Sequence, residues 1–242
     1  MSRLKVPSLQ HLARNYADNS SEICRKLVQL VRGSPNFNYN PLFSAVRDLL
    51  LLKMNYEQVE EGIRRYIRRE DIRENFLEVL PLLHKHFRDV SPDFVNSIST
   101  RNYAVGPRLL VPFTPPIMYG VGGQLYFPWF SFWRSNPLGK ENLSLFVTAV
   151  FELLEQDPDL ENARFQILDF SAAPTIKQRT LKILEANDIP RLSDDRKKEM
   201  LEVFADGYAM AKTVLAQEEA ESPGDDVRES PIDDEDQPDL FD

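Results

Sequence analysis

The sequence predicts an α+β protein with a helical N-terminal half, a small aromatic-rich antiparallel sheet, C-terminal helices and a disordered acidic tail. Three observations carry this. Apolar residues recur every three or four positions along much of the first 98 residues, the period of a helix with one buried stripe. From Tyr103 to Trp133 that period vanishes, and Pro, Gly and aromatic residues crowd in. After Gln217 apolar residues thin out and acids accumulate, so burial cannot offset the entropy of ordering. The expected organisation is a single α+β domain over 1–217, helical over 1–98 and sheet-containing over 99–217, then a tail over 218–242.

The elements follow in order. Ser20 and Ser21 precede an apolar-periodic run and suit a helix N-cap. "PLFSAVRDLLLLKM" (41–54) opens with Pro at a tolerated first-turn position. "NYEQVEEGIRRYI" (55–67) and "REDIRENFLEVLPLLHKHF" (69–87) follow; Ile72, Phe76, Val79 and Leu83 form one stripe, and Pro81 is expected to kink or end the helix. "SPDFVNSI" (91–98) reads as a short capped helix. "RLLVPFT" and "QLYFPWFSFW" read as strands, with "YGVGGQ" as the turn between them. Pro112, Pro115, Pro116 and Pro128 cannot donate to a ladder and point to edges or bulges. "KENLSLFVTAVFELLEQ" (140–156) is a helix and "RFQILDF" (164–170) the clearest strand. "TIKQRTLKILEAN" (175–187) and "SDDRKKEMLEVFADGYAMAKTVLAQ" (193–217) read as helices.

Charge is distributed unevenly. The net −9 resolves into −11 over 218–242 and +2 over 1–217, so only the tail is acidic. A body this close to neutrality neither demands nor excludes nucleic acid. No apolar run reaches the ~18 residues of a spanning helix, so no membrane is expected. The N-terminus lacks the apolar core of a signal peptide. The single cysteine, Cys24, sits at helical spacing with Ile23, Leu27 and Leu30 and reads as a core thiol. A reducing, cytoplasmic setting is expected.

Candidate chemistry is sparse. In "LYFPWFSFW", Leu125, Phe127, Trp129 and Trp133 alternate with Tyr126, Phe130 and Phe132, so both faces need covering. The strand is either sandwiched or, through Trp129, Phe130 and Trp133, an aromatic platform for bases or another ligand. Arg64, Arg65, Arg68, Arg69 and Arg73 form the densest basic stretch and are the candidate nucleic-acid contacts. Glu60 and Glu61, four residues before Arg64 and Arg65, favour paired surface charges instead. His84 and His86, two apart on a helix, diverge by roughly 200° and cannot share a metal, and His11 stands alone; no metal ligands are predicted. No nucleophile elbow, phosphate loop or dinucleotide fingerprint occurs.

Asp169 is the catalytic candidate, a carboxylate on an apolar strand, where an ionised group needs a reason. The layout strand, turn, strand and then "ILD" resembles the core of restriction-type and RecB-like nucleases. That resemblance implies a Mg²⁺-dependent nuclease centred on Asp169. In those enzymes a second acid two positions before a Lys completes the metal site. Here Ser171, Ala172 and Ala173 follow, with no Lys before Lys177. The bare reading of the residues is a structural Asp at a strand end, with no cofactor.

In the tail, Gln237-Pro238-Asp239-Leu240-Phe241 resembles the bacterial sliding-clamp-binding peptide, whose pattern is Gln, any residue, Asp or Ser, Leu, then Phe or Leu. The resemblance implies that Leu240 and Phe241 fill an apolar pocket on the clamp and Gln237 hydrogen-bonds beside it, with Asp239 at the acidic position. In a eukaryotic host "DLFD" would instead resemble an adaptor- or clathrin-binding peptide. Burying a Leu and a Phe offers about 3–6 kcal/mol gross, which ordering costs reduce to micromolar affinity. The expected role is a non-catalytic interaction protein of bacterial DNA replication or repair, recruited through its tail.

Overall fold

The computed structural model describes residues 4–33, 38–106, 109–135, 138–160, 162–173 and 177–221. Its centre is β5 (Gln124–Ser131), the aromatic strand. β5 pairs antiparallel with β4 (Met118–Val121) and parallel with β6 (Arg164–Asp169). Outside these lie β1 (Phe94–Asn96), against β4, and β7 (Lys182–Glu185), against β6, both antiparallel, giving the order β1-β4-β5-β6-β7. A separate antiparallel hairpin joins β2 (Arg101–Gly106) to β3 (Leu109–Phe113). The fold is α+β. Among the described pairings only β5–β6 is parallel, because α6 (Lys140–Leu154) carries the chain back between them as a crossover.

Helical layers cover both faces of the five-stranded sheet. One face carries Phe130, Phe132, Leu168 and Phe170, packed against α3 (Asn40–Leu50), α4 (Tyr56–Tyr66) and α5 (Glu70–Phe87). The other carries Phe127, Trp129, Phe165 and Ile167, packed against α6, the β2–β3 hairpin, α1 (Leu9–Asn15), α2 (Ser20–Arg32) and α7 (Asp194–Glu221). The alternation of aromatic residues read along β5 assigns these faces correctly.

Local rules explain most helix ends. Asn55 and Gln58 form a reciprocal capping box at α4. At α2 the cap is Asn19, which accepts from Glu22 N, so Ser20 is the first helical residue rather than the cap. Pro81 neither ends nor shortens α5, which runs on to Phe87 with Pro81 exposed. α7 continues four residues past Gln217.

Two expected helices are strands. Residues 91–98 contain β1, whose Phe94 ring lies over Gly120, where a Cβ would stand 2.3 Å from a ring carbon. Within 175–187 the chain forms β7 and then a 3-10 turn at Ala186–Asp188. Helix-forming Lys, Leu and Glu there are overridden by the open edge of β6, where Glu185 meets Gln166 and Arg164. The expected turn also differs. Gly122 and Gly123 alone, at φ +58° and +82°, turn β4 into β5, and β3 belongs to the other hairpin. Pro128 is tolerated in a central strand because β4 pairing stops at Tyr126, leaving β5 with β6 as its one neighbour there.

α2 and α7 pack together and approach closely at Gly207, where a Cβ would lie 2.6 Å from Ile23 Cβ and 2.8 Å from Ser20 O. Gly207→Ala gains about 1 kcal/mol of helix propensity, but the clash outweighs it and the variant should lose about 1–3 kcal/mol. Urea denaturation checks the sign; a more stable variant would disprove this close packing.

Candidate functional site

The C-terminal ends of β5 and β6 lie side by side, with Ser131 opposite Asp169. This is the edge of a parallel pair where open α/β sheets bind ligands. Asp169 is buried, and its two oxygens accept from Ser171 N and Ser171 Oγ, both at 3.0 Å. The carboxylate thus fixes the turn that leaves β6. Ser131 Oγ, also buried, has no hydrogen-bond partner among the described residues.

Arg179 closes the same edge. It is 3% exposed, and its Nη1 donates to Phe132 O and Phe170 O, each at 3.0 Å, tying the two chains together just beyond the strands. Nη2 donates to Asn75 Oδ1 on α5, and Nε stands 3.4 Å from Glu78 Oε2, an ion pair without hydrogen-bond alignment. Burial lowers the Arg179 pKa, opposed by Tyr39 and Glu78, which favour its charge. Arg134 shares Glu78 at 2.5 Å and donates to Lys177 O. Tyr39 hydrogen-bonds Asn75 and packs on Phe76 and Phe132; burial raises its pKa against the pull of Arg179 and Arg14. Beside it Arg14 lies 4.7 Å over the Trp133 ring, which also meets His11 at 5.6 Å.

Among the sequence-predicted site residues, this edge brings together Asp169, Phe130 and Trp133. Trp129 and Phe130 are 6% and 3% exposed and sit inside the two cores, so their rings present no face to a ligand. Trp133 is partly buried under Arg14. Sequence reading missed Arg179, Tyr39, Asn75 and Glu78. Arg179 falls in a stretch that reads as helix, and no local pattern marks an arginine bound to distant carbonyls. Among the described residues Asp169 has no cluster of further ligands around it for the Mg²⁺ that a nuclease would need. Both Asp169 oxygens are engaged by Ser171, and among the described residues no three His, Cys, Asp or Glu side chains cluster for a metal.

The five arginines lie elsewhere, on the elbow between α4 and α5. Arg64 pairs with Glu60 at 2.7 Å, Arg69 with Asp71 at 2.7 Å, and Arg73 approaches Glu74 at 3.8 Å. Arg65 leans over the Tyr66 ring, and Arg68 is exposed. At the opposite end of β5 and β6 an open cleft of about 690 Å³ is lined by Gln124, Phe151, Glu155, Arg164, Glu185 and Arg191, among others. Its charges are largely spent on each other: Arg164 binds Glu185 through two hydrogen bonds, and Arg191 pairs with Glu155 while stacking 4.0 Å over Phe151. The tail peptide, Gln237 to Phe241, lies outside the described residues. No protein-family model, curated protein or solved structure matches this chain.

Two outcomes follow. Asp169→Asn should cost about 1–3 kcal/mol in urea unfolding, the range for unbalancing a buried polar pair; unchanged stability would contradict the turn-fixing role. His11, whose pKa burial and then Arg14 lower from 6.5 to about 4, is held neutral by the fold. The unfolded chain binds the extra proton between those values, so the stability from His11 is complete above pH 6.5 and is lost as pH falls through about 4. His86, lowered by burial, acts in the same direction. His11→Gln should flatten the pH dependence of the urea midpoint over that window, and an unchanged slope would refute it.

Proposed function

We propose that this chain is a non-catalytic interaction protein of bacterial DNA replication or repair, recruited to the sliding clamp by Gln237, Asp239, Leu240 and Phe241. The observation that carries the reading is the pentapeptide itself, with its paired apolar anchors set among acids. A cytoplasmic location belongs to the same proposal. Chain length supports it. The described part of α7 reaches Glu221, and the residues from there to Gln237 would span at most about 55 Å if fully extended. A clamp-bound peptide would therefore keep the body within reach of DNA passing through the clamp.

The test is isothermal titration of the full chain, and of a Leu240→Ala, Phe241→Ala double variant, into a bacterial sliding clamp. Micromolar binding by the parent and at least a tenfold loss in the variant are expected, since two anchors worth about 3–6 kcal/mol gross are removed. Equal affinities would end the proposal.

A further inference from the structure

We infer that the elbow between α4 and α5 is a contact surface for single-stranded nucleic acid, with Tyr66 stacking on a base and Arg65 and Arg68 holding the adjacent phosphates. The elbow is held in shape from within. Ile67 packs against the core that α3, α4 and α5 share, and its N–H donates to Ile63 O at 3.0 Å. Ile67 and Arg69 are both extended, at φ −90° and −73°. Ile67 packs on the core, while its chain neighbours Tyr66, the last residue of α4, and Arg68 are exposed.

Tyr66 is 75% exposed, the largest value among the exposed large apolar side chains of the described residues. The Arg65 guanidinium lies 5.7 Å from its ring centroid and holds the ring from one side. Paired surface charge alone would not need an exposed ring at its centre. A membrane surface would want further apolar side chains beside the ring, but Ile63 is buried and Ile67 packs on the core. An exposed ring beside an arginine is an arrangement that binds unpaired bases without reading their sequence.

Charge fits the same ligand. From Gly62 to Arg69 there are four arginines and no acid. Arg64 and Arg69 are spent on Glu60 and Asp71, whereas among the described residues no carboxylate pairs with Arg65 or Arg68. Glu60, Glu61, Glu70 and Asp71 bracket the elbow and confine the contact to a few nucleotides. The inference does not depend on the tail peptide.

Fluorescence anisotropy of the full chain with a fluorescein-labelled oligothymidylate of about 12 nucleotides, at low salt, tests it. Saturable binding is expected. Tyr66→Ala should weaken it roughly 5- to 100-fold, the range for losing one stacked base. The Arg65→Ala, Arg68→Ala variant should lower the slope of log affinity against log salt by about 1.4, two phosphate contacts at about 0.7 each. All three side chains are exposed, so melting temperatures should match the parent. The inference is overturned if the parent does not bind, if Tyr66→Ala binds as well as the parent, or if a duplex of equal length binds more tightly. It is also overturned if a synthetic peptide of residues 222–242 displaces the oligonucleotide from these same side chains, which would make the elbow a seat for the chain's own acidic end.

Discussion

A strand that is apolar on both faces must be covered on both faces, and β5 imposes that on the rest of the molecule. Phe127 and Trp129 turn to one core, Phe130 and Phe132 to the other. Burying those four rings contributes ~6–12 kcal/mol, at about 1.5–3 each, as much as the net stability of a whole domain. Leaving either face open would forfeit about half of that. Two helical layers are therefore required, and the chain supplies them from both ends. α3, α4 and α5 close one side. α1 and α2 return with α6 and α7, from far along the sequence, to close the other.

Closing both faces leaves the ends of the strands as the places where side chains can reach solvent. At the C-terminal end the charged groups are spent on the protein itself, while Ser131 Oγ has no partner among the described residues. Arg179 binds two carbonyls, Asn75 and Glu78, while Asp169 holds the Ser171 turn. A buried guanidinium satisfied by backbone acceptors fixes geometry, because every donor displaced would have to be replaced. At the N-terminal end Arg164 and Arg191 are likewise paired with Glu185 and Glu155. Charged side chains without such internal commitments, Arg65 and Arg68, lie away from the sheet on the α4–α5 elbow.

The sequence disclosed elements wherever the decisive interaction was local. The stripe Ile72, Phe76, Val79 and Leu83 marks α5, and alternation along β5 gives both core faces correctly. It failed where the decisive interaction was distant. β7 carries a helix-like composition and is a strand because β6 offers an unpaired edge. β1 is a strand because Gly120 makes room for Phe94. β2 pairs with β3, while the strongest turn signal, Gly122-Gly123, joins β4 to β5. The candidate site shows the same division. Asp169 stood out as a lone acid in an apolar strand. Arg179, its neighbour at the strand ends, gave no signal, since its partners come from three other segments. The elbow was visible as a run of arginines, but the exposure of Tyr66 was not.

Native-state hydrogen exchange along β5 and β6 tests the two-sided cover most directly. If both faces are sealed, the amides from Phe127 to Ser131 that β6 pairs, and those from Phe165 to Asp169, exchange only through global unfolding, with protection equal to the stability measured in denaturant. If those amides exchange through low-energy local opening while the α5 and α6 amides stay protected, β5 is not the element on which both layers are built.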